Sequence, residues 1–240
     1  MSESVLMIGA SSAIARALCH RMARRRCKLV LAGRHLNELE KDAADLRIRY
    51  GSHVRVEHFD ALDDESRGSL LERSGDVTGI VLCHGYLPRA RSADESRKTL
   101  DTNFTSAVLV LEEAAARLEK RGAGYIVAIS SVAGDRGRQS NYLYGAAKAG
   151  LSTYLAGLRN RLFRSGVHVL TVKPGFVDTP MTAGLLNPAS PLVSSPERVA
   201  AAVDRAILRR RNVIYTPWFW RPVMKLIRAI PEPLFKRMGL

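Results

Sequence analysis

Short, fully apolar runs alternate along this chain with longer stretches whose apolar positions recur three or four residues apart. The runs have the length and β-branched content of strands buried on both faces, and the longer stretches have the periodicity of helices. Ser4 to Gly9 predicts a strand, and a helix follows to Arg26. Lys28 to Gly33 predicts a second strand, Leu36 to Tyr50 a helix and His53 to Phe59 a third strand. Asp63 to Ser74 reads as a short helix and Val77 to Cys83 as a fourth strand. Ser92 to Lys120 is helical, with a break near Asn103. The Tyr125 to Ile129 strand, the Tyr142 to Arg164 helix and the Val167 to Lys173 strand complete the series. Alternation of this kind predicts an α/β fold built on a doubly wound parallel sheet.

The pattern changes after Pro174. Pro174 to Ser195 is rich in Pro, Gly, Ser and Thr and reads as a loop or lid. A helix from Pro196 to Arg210 and a strand from Val213 to Thr216 follow. Residues 1–217 are expected to form one domain, and 218–240 a basic amphipathic tail. In that tail Val223, Leu226, Ile227 and Ile230 recur at i, i+3, i+4 and i+7 and share one helical face. Arg221, Lys225 and Arg228 fall opposite, Trp218, Phe219 and Trp220 precede, and Lys236 and Arg237 add charge near the end. Two readings stay open: the face enters an anionic membrane surface without spanning it, or it packs on the chain's own sheet or a second subunit.

Composition narrows the class. With 240 residues, 46% hydrophobic and 25% charged, the chain fits one soluble globular domain. The three cysteines, Cys19, Cys27 and Cys83, lie in apolar elements without metal-ligand spacing and read as buried free thiols of a reducing compartment. The amino terminus runs straight into a strand, so no signal peptide is expected, and no apolar run is long enough to span a bilayer. A cytoplasmic location is the expectation, with the tail allowing peripheral attachment to the inner face of a membrane. The formal charge of +14 raises nucleic acid as a partner. The charge is dispersed, however, and Arg24–Arg26 and Arg209–Arg211 each close a predicted helix, where cations favour the dipole. Aromatics are sparse and no nucleic-acid motif is present, so no nucleic-acid partner is expected.

Candidate chemistry gathers between the Tyr125 strand and the helix after it. Ser130-Ser131 follows the strand, and Tyr144 and Lys148 lie one turn apart on one helix face. An open α/β sheet binds ligands at the carboxyl ends of its strands. A hydroxyl, a phenol and an ammonium placed there suit proton transfer to or from a carbonyl oxygen. This order, with Ser131 thirteen residues before Tyr144, resembles the short-chain dehydrogenase/reductase family, and the resemblance runs from Val5 to Thr182. It implies a Rossmann-type three-layer sandwich, a dimer or tetramer, and a catalytic set of Asn103, Ser131, Tyr144 and Lys148. In it Tyr144 is the acid in reduction and the base in oxidation. Ser131 holds the substrate oxygen, and Lys148 lowers the Tyr144 pKa towards neutrality together with the oxidised nicotinamide. Asn103 holds a kinked helix and an ordered water. Ser130 is structural, and Tyr142 has no lysine four residues on and is rejected as the acid.

The cofactor half departs from the family pattern in places. The Thr-Gly-x-x-x-Gly-x-Gly loop is here Ile8-Gly9-Ala10-Ser11-Ser12-Ala13-Ile14-Ala15, with two glycines replaced by alanine. Its position as the first strand-to-helix turn still implies that Gly9, Ser11, Ser12, Ala13 and Ile14 meet the pyrophosphate. The second strand ends in Gly33-Arg34-His35 with no acid, so Arg34 is the candidate for the 2′-phosphate of NADP. Asp60 matches the adenine-contacting aspartate. Leu82-Cys83-His84-Gly85 stands for an Asn-Asn-Ala-Gly motif of which only Gly85 survives, and His84 reads as a structural histidine. Pro174, Gly175, Val177 and Thr179 match the nicotinamide-facing segment. NADPH is therefore the expected cofactor, and no metal is expected.

The segment Gly134-Asp135-Arg136-Gly137-Arg138 and the end Tyr215-Thr216-Pro217…Ile230-Pro231 resemble one branch of the family, the reductase component of polyprenylphosphoryl-ribose 2′-epimerase. That implies a keto-sugar on a lipid phosphate, with Arg136 and Arg138 facing the phosphate and Arg138 the better candidate, since Arg136 can pair with Asp135. The alternatives are a soluble reductase of a free ketone (steroid, retinoid or acyl-chain) and a non-catalytic dinucleotide-binding subunit.

Overall fold

A computed structural model describes residues 3–88, 90–185, 187 and 189–239; Leu240, at the end of the tail, lies outside them. The first half runs β1 (Ser4–Ile8), α1 (Ala13–Arg24), β2 (Lys28–Gly33), α2 (Leu36–Tyr50), β3 (Val54–His58), α3 (Asp64–Gly68), α4 (Leu70–Ser74) and β4 (Gly79–Leu82). Then come α5 (Ala93–Leu100), a π-helical turn (Asp101–Thr105), α6 (Ser106–Arg121), β5 (Tyr125–Ile129), α7 (Tyr142–Leu162) and β6 (His168–Pro174). The chain closes with β7 (Phe176–Val177), β8 (Val193–Ser194), α8 (Pro196–Leu208), β9 (Val213–Thr216), α9 (Trp220–Ala229) and α10 (Glu232–Phe235).

Seven strands form one parallel sheet in the order β3-β2-β1-β4-β5-β6-β9. Successive strand residues point to opposite faces, which explains the unbroken apolar runs. Met7, Leu31, Val81 and Val127 enter one core with Leu18 and Met22 of α1, Leu39 of α2 and Val203 of α8. Their neighbours Leu6, Val30, Ile80 and Ile126 enter the other, with Leu111 and Leu118 of α6 and Leu151 and Leu155 of α7. The strand order reverses between β1 and β4, and a doubly wound sheet opens a crevice at that point.

Three expectations are refined. The helix expected over 63–74 is two short helices, because Ser69 ends α3. The loop after Pro174 is partly ordered as a two-residue pairing of β7 with β8. The tail is helical, but its inward face differs from the one expected. Trp220 and Met224 are buried against Val132, with Val223 and Ile227 packed beside them, while Leu226 is 72% exposed. The face chosen from periodicity is therefore largely turned to the chain's own surface, and Met224 belongs at its centre. No helix among the described residues is long and apolar enough to cross a membrane.

Candidate active site

The β1–α1 turn begins the site. Gly9 has φ +76°, and a Cβ there would lie 2.5 Å from the His84 backbone nitrogen, so only glycine fits. Ala13 is the first residue of α1 and Ala15 lies in its first turn, neither with positive φ. The two alanines that replace family glycines therefore meet no backbone penalty. Ser12 caps the helix by accepting from the Ala15 N–H at 3.2 Å, and the first turn carries no acid. The remaining amino-terminal N–H groups are left for an anion.

At the end of β2, Arg34 is exposed and makes no hydrogen bond or ion pair among the described residues. Asp60 accepts from the Leu62 N–H at 3.0 Å, which fixes the turn after β3. His84 lies on Phe59, with ring centroids 5.3 Å apart, and its Nε2 meets the Ser106 hydroxyl at 2.9 Å. Burial, and then the Lys148 charge, push its pKa down to about 3, so the ring is neutral. It ties the end of β4 to α6, which fits a structural histidine.

Asn103 is 1% exposed in the π-helical turn. Its Nδ2 donates to Thr99 O at 2.9 Å and Tyr86 O at 2.7 Å, and its Oδ1 accepts from Tyr86 N at 3.1 Å. The break expected near Asn103 is this turn, and the amide takes up a carbonyl that the wider turn leaves over. A Cβ on Gly85 would come within 3.0 Å of Asn103 Oδ1 and 3.5 Å of Lys148 Nζ. That crowding accounts for the one glycine kept from its motif.

Ser131 leaves β5 and caps a 3₁₀ turn, Val132–Gly134, by accepting from Ala133 N–H at 3.1 Å. Ser130 is buried and donates to Lys148 O at 3.0 Å, a structural brace for α7. Lys148 is 2% exposed, donates to Ile129 O at 3.0 Å and sits 5.7 Å from the centroid of the Tyr144 ring. Burial pushes the ammonium down to about 8. Burial likewise pushes the Tyr144 phenol up to about 12, against the lowering effect of the Ser131 hydroxyl. The neutral pKa expected for Tyr144 is thus not a property of these side chains alone. Desolvation of the phenolate outweighs its neighbours until a further positive charge is added. Tyr142 is 56% exposed and lies outside the cleft.

One cleft of about 430 Å³ collects these groups. Gly9, Ser11, Ser12, Ala13, Ile14, Arg34, Asp60, Gly85, Ser131, Tyr144, Lys148, Pro174, Gly175, Val177 and Thr179 all line it, and only Asn103 stands behind the wall. Tyr86, Lys98 and Met181 also line it and carry no motif by which the sequence could announce them. Thr179 is held by Thr182, whose hydroxyl is 3.2 Å from the Thr179 hydroxyl and donates to Val177 O at 2.6 Å.

The loop after Ser131 corrects one pairing. Asp135 binds Lys173 and the Tyr215 hydroxyl, not Arg136. Arg136 reaches the tail, donating to Ile227 O at 2.8 Å, Ile230 O at 2.6 Å and Glu232 at 3.0 Å. Arg138 is half-buried. Its Nε has no hydrogen-bond partner among the described residues, and burial lowers its pKa against the charge of Asp135.

The short chain dehydrogenase family matches residues 3–189. An uncharacterized oxidoreductase of Mycobacterium tuberculosis is 37% identical over 98% of this chain and 96% of its own length. One from Streptomyces coelicolor is 36% identical over the same shares. Among solved structures, a short-chain dehydrogenase from Sphingobium yanoikuyae in complex with NADPH superposes with a TM-score of 0.85. It is 25% identical and is matched over 96% of this chain and 97% of that one.

Proposed function

Because this chain belongs to the short-chain dehydrogenase family of oxidoreductases, we propose that it is an NADPH-dependent reductase of a keto group. The observation that carries this is one cleft lined at one end by Ser131, Tyr144 and Lys148 and at the other by the Gly9 turn and unpaired Arg34. The residues fit the cofactor: the Gly9 turn leaves no room for a side chain, and α1 opens without an acid. Arg34 stands where a carboxylate would repel a 2′-phosphate, and the NADPH in the Sphingobium relative supports the same choice.

NADPH, when bound, supplies the hydride. The protein's own task is to hold the carbonyl and deliver a proton. Ser131 donates to the carbonyl oxygen and stabilises charge as it develops. Tyr144, with a phenol pushed up to about 12, stays protonated at neutral pH and is ready to donate. That state favours reduction, since oxidation requires the phenolate. Lys148 holds a positive charge beside the phenol and would hold the ribose hydroxyls of a bound cofactor. Asn103 fixes the π-helical turn and the Tyr86 backbone behind them.

For the substrate, we infer an amphiphilic ketone bearing an anionic group, of which a keto-sugar on a polyprenyl phosphate is the form implied by the resembling branch. Arg138 supports it as a half-buried cation with an unpartnered Nε on the loop between Ser131 and Tyr144. The tail supports an anionic membrane surface at 218–240 through different residues from those expected. Trp218 and Leu226 are 78% and 72% exposed, beside exposed Arg221, Lys225 and Arg228.

The test is a panel containing a polyprenylphosphoryl keto-sugar, its phosphate-free form, and steroid, retinoid and acyl-chain ketones. Each is mixed with NADPH while the nicotinamide absorbance is followed. Turnover of the phosphorylated form alone supports the anionic substrate; turnover of the others points to a free ketone. NADPH binding without turnover of any member would leave a dinucleotide-binding subunit. Sedimentation with anionic vesicles at low salt reads the tail separately, and a protein that stays in the supernatant loses the membrane contact.

A further inference from the structure

Gly175 is a glycine for a reason outside its own backbone, because its φ is not positive. A Cβ there would lie 1.9 Å from Nε1 and 2.2 Å from Cε2 of Trp220, so the indole occupies the space a side chain would need. Trp220 opens α9, beyond the last strand of the sheet and beyond the segment that matches the family. It is 5% exposed. It meets Phe176 edge-on, with centroids 5.2 Å apart, and packs on Val132, the residue after Ser131. One tail side chain thus touches both walls of the catalytic end: the turn that carries Ser131 and the Gly175–Phe176 segment.

The other end of α9 is fixed to the same turn. Arg136 donates to the carbonyls of Ile227, Arg228 and Ile230, pairs with Glu232 and lies 3.8 Å from the centroid of the Phe235 ring. A guanidinium on the last carbonyls of a helix caps it and complements its dipole. The tail is therefore pinned at both ends to the loop that follows Ser131.

The geometry points to Trp220 as a positioning residue that sets the nicotinamide-facing Gly175 segment against the Ser131 turn, with Arg136 holding it in place. The tail then braces the walls of the active site from behind and is not an appendage. The inference rests on the NADPH reading above for its consequence, and on packing alone for the contact.

Two measurements test it. In urea unfolding, Gly175→Ala should destabilise the protein strongly when Trp220 is present and little in a Trp220→Leu background, because the smaller side chain vacates the space. Equal loss in both backgrounds would overturn the contact. In fluorescence titrations Trp220→Leu should bind NADPH about tenfold more weakly and bind 2′,5′-ADP, which lacks the nicotinamide half, as the unmodified protein does. Trp220→Phe should restore most of the NADPH affinity, since the indole N–H has no partner to lose among the described residues. Unchanged NADPH affinity in Trp220→Leu, or equal loss for both ligands, overturns the positioning role. An unmodified protein that binds neither ligand refutes the cofactor reading and this consequence together, while the unfolding comparison decides the contact by itself.

Discussion

Lys148 should impose a stability penalty at neutral pH that is relieved in mild alkali, and replacing it should remove that contribution. The ammonium is 2% exposed, its one hydrogen bond is to Ile129 O at 3.0 Å, and burial lowers its pKa from 10.5 to about 8. A shift of that size corresponds to about 3 kcal/mol of preference for the neutral form. The sign follows from proton binding. Between pH 8 and 10.5 Lys148 keeps its proton in the unfolded chain and releases it in the folded one, so its own contribution to stability rises with pH across this window. Below it the full penalty of about 3 kcal/mol is present. The neighbouring Cys83 thiol is pushed from 9.0 up to about 12 by burial, so above about pH 9 it works in the opposite direction, but it does so in both proteins and drops out of their difference. Lys148→Met removes the charge but strands the Ile129 carbonyl, a loss of about 1–3 kcal/mol. The variant should therefore match the unmodified protein near neutral pH and fall below it by up to about 3 kcal/mol in alkali, with reductase activity lost throughout. Urea unfolding of both proteins across the window gives the difference directly. A difference that stays constant with pH would refute a buried, depressed Lys148.

Four further outcomes are expected. Arg34→Asp should reverse a preference for NADPH over NADH, read by titrating both; tighter NADH binding by the unmodified protein would refute the role given to Arg34. Tyr144→Phe should lower turnover by about 10²–10⁴-fold while NADPH affinity changes little; a variant that retains most of its rate has its acid elsewhere. Gly9→Ala should abolish NADPH binding and lower stability by more than about 1 kcal/mol, since its Cβ would meet His84 backbone at 2.5 Å. Ala13→Gly, at the helix start, should leave binding intact.

The sheet was legible because its strands are buried on both faces and so leave unbroken apolar runs between helical periods. The candidate catalytic residues stood out because Ser131, Tyr144 and Lys148 sit at fixed distances along one strand-turn-helix unit, and the fold brings all three to one cleft. Two kinds of information were not. The first is tertiary. Nothing along the chain says that Trp220 fills the side-chain space of Gly175, or that Arg136 reaches past Asp135 to cap α9. Periodicity finds an apolar face in the tail but cannot weigh Met224, which is buried, against Leu226, which is not. The second is electrostatic. The Tyr144 pKa depends on how deeply the phenol is buried, and in this cleft burial outweighs the Ser131 hydroxyl.

The departures from the family's cofactor motifs invite the reading that the dinucleotide site has decayed, but where they fall argues otherwise. Ala13 and Ala15 stand in ordinary helical backbone, while Gly9, at +76° and pressed on His84, is kept. His84 stands where the motif has alanine; its Nε2 meets the Ser106 hydroxyl, and it is neutral, so it adds no charge beside Lys148. Gly85, the survivor of its motif, is where a side chain would press on Asn103, at 3.0 Å from its Oδ1, and touch Lys148. Neutral drift in an abandoned site would strike crowded and roomy positions alike. Ala13 and Ala15 change where the backbone tolerates it, His84 finds a partner in Ser106, and Gly9 and Gly85 are kept where a side chain would be crowded. That selectivity is what a working NADPH cleft predicts, and it weighs against a purely non-catalytic subunit.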